Sequence, residues 1–282
     1  MLKKHKNLTI DKIMMNILII GAGKLGVLLV NALKDQHNIT LVSRSQKNID
    51  GVHEIVKNAQ DLTAADFNVM FDVVFVIISP DVSTIADYYR TYVATAEPIC
   101  NSIRHAQNGK YPNLFYISSV RVYADSPNDI ITSNTVPMPT DEFARLIYAG
   151  ELIYQGLLGD RVSVVRLTGL TDFCPLTKLH KNDWLAKRAI SATHVNELHW
   201  LNLVHRKFVV CQLIGLLNHL DNLKSVYLFN QLSSLRHELY NQIRAVKKHK
   251  PLTISHLTDN PANLTVTGKR IVVTDCCDDP IF

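Results

Sequence analysis

Short, unbroken apolar runs punctuate the first two thirds of the chain: Asn16–Ile20 ("NILII"), Val73–Ile78 ("VVFVII") and the "NLFYISS" stretch at 113–119. Runs of this length bounded by turn residues fit strands that are buried on both faces of a sheet. Between them the period changes. Leu25, Leu28, Leu29, Ala32 and Leu33 recur at the i, i+3, i+4, i+7, i+8 intervals of an amphipathic helix. The segment 83–107 also reads as helical, with a break expected at Pro98. Further strands are predicted at "NITLVSRS", "VSVVRL" and "SVYLFN", and further helices at "TDEFARLIYAGELIYQGLL", "HRKFVVCQLIGLLNHL" and "LRHELYNQIRAVKKH". In the second of these helices Val209, Val210, Leu213 and Leu216 form a stripe best explained by burial. Strands alternating with helices imply an α/β protein whose parallel sheet is covered on both faces through right-handed crossovers.

The turn after the first strand carries the clearest chemistry. Gly21, Gly23 and Gly26 stand in GxGxxG spacing, interleaved with Ala22, Lys24 and Leu25. After a strand and ahead of a helix, the first glycine turns the chain, the second lets backbone approach a pyrophosphate, and the third lets helix pack on strand. The helix N-terminus then offers unpaired N–H groups to the phosphates. The expected architecture is a Rossmann-type doubly wound sheet over 14–168. Residues 169–282 then form mainly a smaller substrate lobe, with a strand near 226–230 returning to the main sheet.

The second strand ends in Ser43-Arg44-Ser45, without the acidic residue that commonly binds the ribose 2′-hydroxyl of NAD. A guanidinium suits a 2′-phosphate, so NADP is expected, with NAD as the alternative. Ligands in such sheets lie beyond the carboxyl ends of the strands. That places Ile78, Ser79, Pro80 and Ser118 with the glycines, and Asp61 with Leu62 over the adenine.

Composition narrows the rest. The 282 residues carry a net charge of +5, with 47% hydrophobic and 20% charged residues, as in ordinary globular proteins. No apolar run spans a bilayer and no signal-peptide pattern appears at the start, so a cytoplasmic location is expected. Cys100, Cys174, Cys211, Cys276 and Cys277 make no disulfide framework and no CxxC pair. Twelve histidines show no metal-ligand spacing. Basic clusters at Lys3, Lys4 and Lys6 and at Lys247, Lys248 and Lys250 lack any nucleic-acid motif.

The sequence resembles the extended and atypical short-chain dehydrogenase/reductases, the epimerase/dehydratase group that acts on nucleotide sugars. The resemblance runs from Asn16 to about Val273. "ISSVRVYAD" is similar to the family's Ser-Ser-x-x-Val-Tyr-Gly segment, which puts Ser119 at the catalytic serine or threonine position and Tyr123 four residues on. "VSVVRLTGLTDF" is similar to the strand ending in Arg-x-x-Gly, which implies Arg166, Thr168 and Gly169 at the mouth of the site. "WLNLVHRKF" resembles the Asn-x-Ile-His segment that precedes a substrate-lobe helix, matching Asn202 and His205, and "GKRIVV" resembles a short tail of atypical members. The resemblance implies a small-molecule substrate, and subunits that pair through helices flanking the sheet as a homodimer.

One departure cuts into this expectation. The family's Tyr-x-x-x-Lys pair should lie on "TDEFARLIYAGELIYQGLL"; with Glu151 aligned to the family's helix-end glutamate, Phe143 and Ile147 occupy those two positions. No lysine occurs between Lys110 and Lys178. A tyrosine near its ordinary pKa of about 10 is a poor base without a nearby cation. The candidate proton carriers are therefore Tyr123, Tyr148 and His205, with Ser119 polarising the substrate. The alternative is a dinucleotide-binding sensor without turnover.

Overall fold

The computed structural model describes residues 14–106, 111–126, 130–172, 184–192, 194–195, 198–254 and 266–271. Its first half runs β1 (Asn16–Ile20), α1 (Lys24–Leu33), β2 (Asn38–Ser43), β3 (His53–Val56), β4 (Val73–Val76), α2 (Ile85–Tyr88), a π-helical turn Tyr89–Val93, α3 (Ala96–Ala106), β5 (Asn113–Ser119), β6 (Ile130–Ile131), α4 (Glu142–Leu158) and β7 (Val162–Leu167). The second half adds β8 (Gly169–Thr171), α5 (Trp184–Ser191), β9 (His194–Val195), β10 (Leu198–His205), α6 (Arg206–Leu216), β11 (Val226–Phe229), β12 (Leu232–Leu235), α7 (Arg236–Val246), β13 (Thr253–Ile254), β14 (Val266–Thr267) and β15 (Arg270–Ile271).

Seven strands form one parallel sheet in the order β11-β7-β5-β4-β1-β2-β3. The order reverses between β1 and β4, which opens a crevice at their carboxyl ends. Side chains alternate across the sheet. Ile17, Ile19, Val73, Phe75 and Phe115 pack towards α1 and α6, whereas Leu18, Ile20, Val74, Val76 and Tyr116 pack towards α3 and α4. Each fully buried aliphatic side chain contributes about 1.5–3 kcal/mol. No helix of the described residues is long and apolar enough to cross a membrane.

The chain breaks before Pro98, not at it. The π-helical turn ends at Val93 and α3 begins at Ala96, so Pro98 sits in the first turn, where a missing N–H costs no helical hydrogen bond. A second correction concerns α6. Its buried Val209, Val210, Leu213 and Leu216 join the core with Leu29 and Val30 of α1, so the helix covers the main sheet and does not belong to the lobe. The strand expected near 226–230 is β11, at the sheet edge beside β7. A third core cluster gathers Leu185, Ala186, Ala189, Leu203, Leu239, Tyr240, Ile243 and Leu252. Lys3, Lys4, Lys6, Cys174, Cys276 and Cys277 lie outside the described residues, as do parts of the long loops. Cys100 is buried, and burial pushes its thiol up to about 12.

Candidate functional site: a cleft at the glycine turn and the end of the serine strand

The three glycines meet different surroundings. Gly21 has φ +113°, and a Cβ there would lie 2.1 Å from the Ile77 carbonyl oxygen. At Gly26 a Cβ would lie 2.0 Å from the Gly21 oxygen, so the helix rests directly on the turn. Gly23 faces open space, with no atom within 4 Å of an added Cβ. Only the middle glycine thus leaves room for a ligand against backbone. Helix α1 starts at Lys24 with no acidic residue in its first turn and no side-chain cap, so its first N–H groups lack intrahelical acceptors.

A cleft of about 280 Å³ opens beside this turn. Gly21, Ala22, Gly23, Ser43, Arg44, Ile78 and Ser79 line it. Lys47, Lys57, Asn58, Asp81, Arg90 and Thr95 line it too, and the sequence reading assigned none of them. Seven expected residues, Lys24, Leu25, Gly26, Asp61, Leu62, Pro80 and Ser118, do not line it. Leu25 is in the core beneath α1, Leu62 is buried in the other core, and Asp61 is exposed outside the cleft wall, where Asn58 to Gln60 take its place. Lys24 is exposed and pairs with Asp172 at 3.4 Å; Pro80 is half-buried.

Arg44 is not a bare cation. Its two terminal nitrogens donate to both oxygens of Asp81, Nη2 to Oδ1 at 2.8 Å. The hydrogen bond from Arg44 holds the Asp81 carboxyl below the usual carboxylate range. Asp81 stands on the loop after β4, and buried Asp87 fixes that loop by accepting the amides of Asp81 (2.7 Å) and Val82 (2.9 Å). Those amides, the Val82 one foremost, lower the Asp87 carboxyl as well.

At the end of β5 the two serines part company. Ser118 is buried and donates to Glu151 Oε1 at 2.5 Å. Glu151, 0% exposed, also takes Nε and Nη2 of Arg166, the latter at 2.7 Å. Arg166 Nη1 donates to the Tyr123 hydroxyl at 2.7 Å, and the guanidinium lies 5.0 Å from the centre of the Tyr123 ring. Arg166 is therefore sealed inside the protein and not at the mouth of the site. Tyr123, 2% exposed, belongs to this buried network and not to a reaction surface. Ser119 is half-buried, and its hydroxyl accepts the Arg121 amide at 3.2 Å.

The remaining expected residues have structural partners. His205 caps α6, its Nδ1 accepting the Lys207 amide at 3.1 Å. Asn202 donates to the Lys269 carbonyl and accepts from Ser233 and Ile271, which ties the returning tail to the lobe. Thr168 is buried against the Phe229 carbonyl, and exposed Gly169 opens β8. Tyr148 is half-buried against the α3–α4 core.

No protein-family model matches the sequence, and no curated protein matches it. Solved structures do match in fold. MoeE5 in complex with UDP-glucose and NAD superposes with a TM-score of 0.72 at 18% identity, covering 92% of this chain and 90% of that one. The UDP-N-acetylglucosamine 4-epimerase from Methanobrevibacter ruminantium gives 0.69 at 14%, covering 93% and 90%. WbmG from Bordetella bronchiseptica, in complex with NAD, gives 0.68 at 16%, covering 93% and 87%. The chain shares the fold of these structures, a parallel Rossmann-type α/β sheet.

Of the two residues that the sequence resemblance set at the tyrosine and lysine positions, Phe143 is half-buried and Ile147 is buried. The Phe143 ring meets Tyr88 edge-on at 4.7 Å and lies under the Arg121 guanidinium at 4.8 Å. Ile147 is 3% exposed. Glu151 is a lone carboxylate on the buried stripe Ala144, Ile147, Tyr154 and Leu158, a signal that the sequence reading did not use. A charge on a buried face needs a partner. Among the described residues no cluster of three or more His, Cys, Asp or Glu could hold a metal ion.

Proposed function

We propose that the chain binds NADP(H) in the cleft at β1, β2 and β4 and transfers hydride to or from a small carbonyl or sugar-nucleotide-like substrate at the end of β5. The observation that carries this reading is the glycine turn, with Gly21 and Gly26 pressed against backbone while Gly23 and the first amides of α1 stay open. Fold likeness to structures determined with NAD supports it. The diphosphate would lie over Gly23, and the adenosine phosphate would meet Arg44, with Asp81 giving way.

When bound, the nicotinamide supplies the hydride. The chain's own contribution is Ser119, whose oxygen accepts the Arg121 amide and whose hydroxyl has no acceptor among the described residues, so that it would polarise a carbonyl. Proton transfer is the weak point. Tyr123 and His205 are engaged in structural bonds, which leaves Tyr148 as the candidate acid. A positioned acid or base is worth about 100- to 10,000-fold, so turnover is expected to be slow.

A second reading is a dinucleotide sensor without turnover, and the packing of Phe143 and Ile147 favours it. Calorimetric titration with NADPH, NADP and NAD, followed by NADPH absorbance against a panel of carbonyl compounds, separates the two. Turnover abolished by Ser119→Ala supports the enzyme, whereas tight binding with no oxidation supports the sensor. No affinity for any of the dinucleotides would overturn both.

A further inference from the structure

Arg121 received no role from the sequence, yet its backbone amide bonds the Ser119 hydroxyl and its guanidinium is held from two sides. It stands in the one-turn 3-10 helix Val120–Val122 directly after β5. Its Nε donates to Asp141 Oδ2 at 3.2 Å. Asp141 cannot swing away, because its other oxygen caps α4 by accepting the Ala144 amide at 2.8 Å. One face of the guanidinium rests on Phe143, which Tyr88 buttresses from the side. The side chain remains 40% exposed, and its Nη1 and Nη2 have no hydrogen-bond acceptor among the described residues.

Other cations near the β5 end are committed. Arg166 is closed off by Glu151 and Tyr123. Lys269 donates to the Tyr123 carbonyl and pairs with Asp125 at 3.3 Å. A guanidinium anchored through Nε and one face, with its forked edge open, is arranged for a bidentate oxyanion. Little ordering would be lost on binding, because the fork is already fixed.

We propose that Arg121 is a substrate-binding residue that selects acidic substrates, its Nη1 and Nη2 pairing with the two oxygens of a ligand carboxylate beside Ser119. This rests on the reading of the β5 end as the place where substrate meets nicotinamide. A planar carboxylate presents two oxygens in the plane of the guanidinium, one to each open nitrogen of the fork. In this arrangement the ring at the family's tyrosine position serves as a platform for a cation.

Malonate is the probe, titrated calorimetrically into protein saturated with NADPH, so that Arg44 is occupied, and into the cofactor-free protein. Wild type is expected to bind it. Arg121→Ala should weaken binding at least about tenfold, and Arg121→Lys, which keeps charge but loses the fork, should fall between. NADPH affinity should stay within about twofold in both variants, as Arg121 lies outside the cofactor cleft. Malonamide should not bind. Malonate binding that is absent in wild type, or indifferent to Arg121, overturns the proposal while NADPH binding stands. Tighter binding of inorganic phosphate than of malonate overturns the carboxylate assignment. Arg121-dependent malonate binding by a protein that ignores NADPH would keep the anion site and remove the dinucleotide reading.

Discussion

Replacing Glu151 with glutamine tests whether Ser118, Glu151, Arg166 and Tyr123 form a structural unit. The substitution keeps the side-chain shape and removes its charge, leaving the Arg166 guanidinium, 4% exposed, without a counter-ion. Three contacts from Arg166 to the carboxylate, at 3.1, 3.3 and 2.7 Å, lose their ionic character, and so does the 2.5 Å bond from Ser118. Breaking a buried pair from one side costs about 3–5 kcal/mol. Domains of this kind have about 5–15 kcal/mol in total. At about 2–4 °C per kcal/mol for a chain of this size class, the melting temperature should fall by roughly 6–20 °C. Circular dichroism melts measure it directly. The double variant Glu151→Met with Arg166→Met removes both charges and should lie well above the sum of the single losses. NADPH affinity, measured well below the transition, should be unchanged within about twofold, because none of the four residues lines the cofactor cleft. A melting shift under about 2 °C, or strictly additive losses in the double variant, would refute the buried network.

Other outcomes follow from the cleft and its loop. Gly23→Ala should leave the melting temperature nearly unchanged and weaken NADPH binding at least about tenfold, since the new methyl occupies ligand space only. Gly21→Ala should destabilise the fold itself, because its Cβ collides with the Ile77 carbonyl at a φ of +113°; paired melts and titrations check both. Asp81→Asn should shift preference towards NADP over NAD by roughly 2- to 5-fold, as an exposed charge opposing the phosphate is removed, and an unchanged ratio would detach Arg44 from the adenosine phosphate. The lowered Asp87 carboxyl gives a pH signature. Its contribution to stability is complete above its ordinary value of 3.8 and is lost as pH falls through the lower folded-state value. Asp87→Asn should therefore flatten the acid limb of a stability-against-pH curve, and an unaltered limb would argue against the loop clamp.

The main run of sheet strands and flanking helices was legible because it is written locally, in short apolar runs for buried strands and a 3.6-residue period for helices, whereas α5, β10 and β12 were not read. The glycine turn was legible for the same reason, since its chemistry lies within six consecutive residues. The absence of a tyrosine–lysine pair was equally plain, because that pair must share one helix face. What the sequence left open was every partnership across long separations. Arg44 meets Asp81, Ser118 meets Glu151, and Arg121 meets both Asp141 and Phe143, and in each case a crossover brings together residues that no local period connects. Arg166 shows the consequence most clearly. Its position at a strand end suggested a ligand-binding cation, but 0% exposure at Glu151 turned it into half of a buried pair. Charge is visible in a sequence, whereas the dielectric and the counter-ion that decide its use exist only once the sheet is assembled.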